Sequence, residues 1–145
     1  MPREALLRIE SAIAASESRH SGQIRFAVES ALDLHDLLRG KSARERAIEA
    51  FAALRVWDTA HNNGALIYLL LADRDVEIVA DRGIHERAGS RAWEEVCREM
   101  EADFREGRFE EGVLGGIARV SRYLETHFPR RAFGPNELPD QPVVL

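Results

Sequence analysis

The residues best suited to chemistry in this chain are oxygen donors: Asp58, Asn62 and Asn63 within "DTAHNNG", and Asp81 at the head of "DRGIHE". Carboxylate and amide oxygens are the ligands that a hard divalent cation such as Ca2+ or Mg2+ accepts. Gly64 and Gly83 accompany them, and His61 and His85 flank the two segments, where an imidazole could move a proton. "DRGIHERAGS" also leads into a helix, so free backbone N–H groups near Gly83 and His85 could meet an anion. A cation beside such donors would polarise a phosphoryl oxygen and activate water. The same residues have a plainer reading. Asn-Asn-Gly and Asp-Arg-Gly are ordinary turn chemistry, with glycine supplying positive φ and asparagine tolerating it. No convincing nucleophile stands nearby, and Cys97 lies on an apolar helical stripe that reads as core. Trp57 and Trp93 also read as core.

The two loops can only meet if the chain between them folds back. Two apolar runs, "ALIYLLLA" and "VEIVA", flank a short charged turn and spell a β-hairpin. A turn on Asp73-Arg74 sets Leu69 against Ile78, Ile67 against Ala80, Tyr68 against Val79 and Leu66 against Asp81. Asn63-Gly64 then lies across from Asp81 to Gly83. Asp-Arg is not a favoured two-residue turn, so this register is open to slippage. The first hairpin strand is apolar on both faces and needs cover above and below.

Helices supply that cover. Leu6, Ile9 and Ile13 mark one over residues 2 to 17, and Ser42 with Glu45 forms a capping box opening another through about Trp57. Trp93, Val96, Cys97, Met100 and Phe104 mark a third, from about Ser90. Val113, Ile117, Val120 and Leu124 mark a last one ending near His127. Before the capping box, Ile24, Phe26 and Val28 alternate with Gln23, Arg25 and Glu29 as a half-buried strand, and "ALDLHDLLRGK" fits a loop or a frayed turn. The order α-β-α-β-β-α-α predicts an α/β fold: a three-layer α/β/α sandwich with a mixed sheet and room for one further strand. Residues 1–20 form an N-terminal helix packed on a domain spanning 21–129. Residues 130–145, with Pro135, Pro139 and Pro142, read as an extended tail whose "PVVL" could add to a sheet edge or dock on a protein partner.

A chain of 145 residues suits one domain. Its net charge of −5 argues against nucleic acid, whose phosphates need a basic stripe. A single cysteine excludes an internal disulfide. No run approaches the ~18 apolar residues of a membrane span, and the N-terminus is no signal peptide, so a cytoplasmic protein without an integral membrane segment is expected. Without a Walker A loop or a GxGxxG after a strand, no organic cofactor is expected.

Taken together, "NGALIYLLLADRDVEIVADRGIHE", Trp93, Met100, "FREGRFEEGVLGGI" and "HFP" resemble the TPM domain family, in its short bacterial branch, over roughly residues 22 to 129. The resemblance implies an α/β/α sandwich, divalent-cation binding, weak acid phosphatase activity and roles in maintaining membrane complexes. Asn63, Gly64, Asp81 and Gly83 occupy matching positions. Asn62 stands where many relatives carry an acid, and Ala80 where this branch often has glycine. Two functions stay open at this point: a cation-binding protein-interaction module, or a weak metal-dependent acid phosphatase acting on phosphomonoesters.

Overall fold

The computed structural model describes residues 1–129 and 136–145. Its centre is a four-stranded mixed sheet in the order β3-β2-β1-β4. Strands β1 (Gln23–Glu29) and β2 (Gly64–Leu70) run parallel, as a strand, a helix and a second strand require. Strand β3 (Asp75–Ala80) returns antiparallel to β2 and forms one edge. At the other edge β4 (Val143–Val144) lies parallel to β1. This is the further strand for which the sequence left room, and it is formed by the end of the tail. Residues 130–135 of that expected tail lie outside the described residues.

Helices α1 (Arg3–Ser16), α4 (Arg82–Ala88), α5 (Ser90–Arg105) and α6 (Phe109–His127) contribute to one face of the sheet. There Phe26, Ile67 and Ile78 pack with Ile9, Ile13, Met100 and Phe104. Helix α3 (Ala43–Ala53) covers the other face, where Ala47 and Ala50 meet Leu66, Tyr68 and Val79, with Leu138 of the tail. The three expected layers are present. Helices α5 and α6 approach closely because Gly112 and Gly116 have no side chains; a β-carbon on Gly112 would stand 2.6 Å from the Phe104 ring. The "FREGRFEEG" segment therefore has a packing role. Phe104 and Phe109 stack with centroids 5.3 Å apart, and Gly107 takes a φ of 80° in the tight connection between the helices.

Several local expectations are corrected. The hairpin pairs Ile67 with Ile78 and Leu69 with Val76, a shift of two residues from the expected register, because the turn spans Leu71 to Arg74. A shift of two keeps every side chain on its face, so the layers survive it. Strand β1 is buried on both faces rather than one; Gln23 and Arg25 are 6% and 8% exposed. "ALDLHDLLRGK" contains a short helix, α2 (Leu34–Leu38), capped by Asp33. Helix α3 stops at Ala53, short of Trp57, which is 47% exposed; Trp93, at 5%, does belong to the core. Helix α4 occupies the stretch expected to be a loop before Ser90.

Candidate functional site

The loop before β2 and the turn after β3 meet at one end of the sheet, stitched by two backbone bonds. Asp81 N–H donates to the Gly64 carbonyl at 2.9 Å, and Gly83 N–H donates to the Asn62 carbonyl at 2.9 Å. The first continues the hairpin ladder; the second fixes the start of α4 against the loop. Close approach explains both glycines. A β-carbon on Gly83 would lie 2.6 Å from the Asn62 carbonyl oxygen and 2.7 Å from that of His61. One on Gly64 would strike the Val56 carbonyl. The left-handed conformation expected of a glycine here is taken instead by Asn62, with φ 51°. The junction lies at the amino ends of parallel β1 and β2 and the carboxyl end of β3.

Asn63 is the most buried of the candidate ligands, at 1% exposure. Its backbone N–H donates to Thr59 Oγ1 at 3.0 Å, its carbonyl accepts from Gln23 N–H at 3.0 Å, and its Nδ2 donates to the Ser21 carbonyl at 3.1 Å. Its Oδ1 is buried with no hydrogen-bond partner. Asp81 caps α4, with Oδ1 accepting from Arg82 N–H at 2.7 Å, while Oδ2 is likewise buried and unpartnered. Two orphaned oxygens on adjoining loops are what a missing donor or cation would leave, since a buried oxygen without a partner is costly.

The other candidates have different surroundings. Asp58 is exposed and pairs with Arg55 at 2.9 Å. The Asn62 side chain and the rings of His61 and His85 belong to exposed residues. The free N–H donors expected after Asp81 are already occupied: Arg82 by the Asp81 side chain, Gly83 by Asn62, and Ile84 and His85 by the Asp81 carbonyl. The capping aspartate folds back over its own helix start, so these four donors are engaged within the protein. One neighbour was not foreseen. The Glu137 carboxylate accepts from Ala60 N–H at 3.3 Å, bringing a tail residue onto the loop, and only the packing of the tail reveals it. Among the described residues, no group of three or more His, Cys, Asp or Glu is arranged to hold a metal ion. The Cys97 thiol, mainly through burial, is pushed up to about 12 and so stays protonated at neutral pH.

Fold and junction together define a small α/β/α sandwich domain with a glycine-stitched pair of loops at one end of a mixed sheet. A family model described as the TPM domain matches residues 2–123, and the chain belongs to that family. The match begins in α1, so the N-terminal helix falls within the matched region. The chain is similar to the BA42 protein from the psychrophilic bacterium Bizionia argentinensis, with 26% identity and a TM-score of 0.86. That alignment covers 99% of this chain and 94% of the other. The N-terminal domain of a P. gingivalis protein shares the fold at 16% identity with a TM-score of 0.72, covering 91% of this chain and 83% of that one. No curated protein matches the chain. Among the described residues no helix is long and apolar enough to cross a membrane.

Proposed function

We propose that this TPM domain is a divalent-cation-binding module that works through protein contacts. The observation that carries the reading is the pair of buried, unpartnered oxygens, Asn63 Oδ1 and Asp81 Oδ2, on two loops held together by backbone bonds. Ca2+ or Mg2+ would take these oxygens, with water completing the shell. With Asp58 engaged by Arg55, Asp81 supplies the principal charge, so binding is expected to be weak and sensitive to that one residue. Binding without turnover is the better reading because no convincing nucleophile stands near Asn63 and Asp81 in the sequence.

Titration of Ca2+ and Mg2+ followed by amide chemical shifts tests this. The largest shifts are expected at Asn63, Gly64 and Asp81 to Gly83. Asp81→Asn keeps an oxygen to cap α4 but removes the charge, and is expected to weaken binding about tenfold or more. Unchanged affinity in that variant, or shifts centred elsewhere, would refute the site. A phosphomonoester assay with and without metal addresses the alternative of an acid phosphatase; hydrolysis that depends on both metal and Asp81 would replace the binding reading with a catalytic one.

A further inference from the structure

Strand β3 is an edge strand, and its free side faces a cavity of about 520 Å3 lined by Asp75, Val76, Glu77, Ile78 and Ala80 of the strand itself. Across the cavity stand Trp93, Cys97 and Glu101 of α5, with Arg44 of α3. The Asp81-to-Gly64 bond sets the ladder's alternation, which turns the backbone N–H and C=O of Val76, Ile78 and Ala80 away from β2. The outward carbonyl of Ile78 is held by a side chain alone: Arg44 Nη1 donates to it at 2.7 Å, and Cys97 lines the same cavity. Among the described residues no hydrogen bond engages the outward groups of Val76 or Ala80.

We infer that this groove receives an extended peptide segment bearing basic side chains, which adds to β3 as a fifth strand. An exposed edge is a template for pairing, and main-chain hydrogen bonds along it supply affinity while flanking pockets supply specificity. Charge selects the occupant. Four carboxylates, those of Asp75, Glu77, Glu94 and Glu101, line the cavity against two guanidiniums, of Arg44 and Arg98. Burial first, and then the neighbouring carboxylates of Asp75 and Glu77, push Glu101 up to about 7. A cationic side chain would relieve that crowding. A second copy of this chain would instead bring identical carboxylates face to face across the edge. The indole N–H of Trp93, buried at 5% exposure on the cavity wall, has no acceptor and could serve a peptide carbonyl. Arg44 is half exposed, so its hold on Ile78 is a latch that an incoming strand can displace.

The inference deepens the protein-contact half of the proposed function and rests on it, but it involves no cation. The test therefore uses the full chain in EDTA, where failure of the cation site has no influence. The probe is a capped heptapeptide alternating valine with arginine. Amide shifts are expected at Val76, Ile78 and Ala80 together with the Trp93 indole. Methylating the peptide nitrogens that face β3 should abolish these shifts, because it removes the ladder donors. Replacing arginine by glutamate, or introducing Glu77→Gln with Glu101→Gln, should weaken binding about tenfold. The inference is overturned if β3 does not respond, if the methylated peptide binds as well as the parent, or if the glutamate peptide binds equally. Self-association through β3 without peptide, seen as a doubled solution mass, would overturn it in favour of a second copy.

Discussion

On one face of the sheet Phe26, Ile67 and Ile78 meet Ile9, Met100 and Phe104, while on the other Gln23, Arg25, Glu29 and Tyr68 share the strands with Leu66 and Leu70. The first face is held by shape. Its helices fit because Gly112 and Gly116 admit Phe104 and Met100. The second is held by polar groups that need distant partners. Arg25 Nη1 donates to the carbonyls of Pro139 at 2.8 Å and Gln141 at 3.0 Å, and Gln23 Oε1 accepts from Leu138 N–H at 3.2 Å. The Tyr68 hydroxyl donates to Glu29 at 2.6 Å, and the Arg46 guanidinium braces the same carboxylate at 2.8 Å. Loss of shape should be felt by the whole molecule, whereas loss of a polar tie should be felt by the segment it holds.

The largest expected effect is at Phe104, fully buried and stacked on Phe109. Phe104→Ala should cost about 3–5 kcal/mol of global stability, read as a lower denaturant midpoint with little change in slope. A loss below about 1 kcal/mol would mean that the α5–α6 interface yields easily and does not organise the domain.

Next comes Arg25→Met. Burial lowers the guanidinium's pKa from its ordinary value, and Nε has no partner, so the charge itself is expensive to hold in place. Its removal should change global stability by only about 1 kcal/mol. The tail should nevertheless loosen: the Leu145 N–H, bonded to the Val28 carbonyl at 2.8 Å, and the Leu138 N–H should exchange with solvent markedly faster. Hydrogen exchange measured residue by residue checks this. If Arg25→Met destabilises as much as Phe104→Ala, the contrast between the faces is wrong.

The contrast also explains what could be read from the sequence. Phe26, Ile67, Met100 and Phe104 announce their face through spacing alone, because one apolar stripe per element is enough to define a layer. Arg25 and Gln23 misled, since a polar residue on a strand ordinarily marks a solvent face, and only the returning tail buries them. The hairpin register moved by two because a loop from Leu71 to Arg74, with Arg74 at φ 52°, replaced a tight turn. At the junction, the meeting of Asn63-Gly64 with Asp81-Gly83 was legible from hairpin pairing. That Asp81 would satisfy the helix start itself was not, because rotamer and capping geometry leave no mark in residue spacing. Glu137 was invisible for the same reason as the tail.

The smallest effect is expected where the two faces meet, at the β3 edge. Glu101 of α5 lines the same cavity as Asp75 at the start of β3; burial and that neighbouring carboxylate raise it from 4.5 to about 7. A carboxyl raised in the folded state holds its proton more tightly there than in the unfolded chain. Its favourable contribution is therefore complete below about pH 4.5, declines as pH rises, and is gone once pH has passed about 7. Glu101→Gln imitates the protonated form at every pH. Glu77, also raised by burial and by Asp75, titrates in both proteins and largely cancels in the comparison. The thermal midpoint of the wild type should thus fall relative to that of Glu101→Gln between pH 5 and 8, by a few degrees at most for a group only partly buried. Curves that stay parallel across that range would show that Glu101 is not raised in the folded protein, and would remove the crowding that the strand-docking groove invokes.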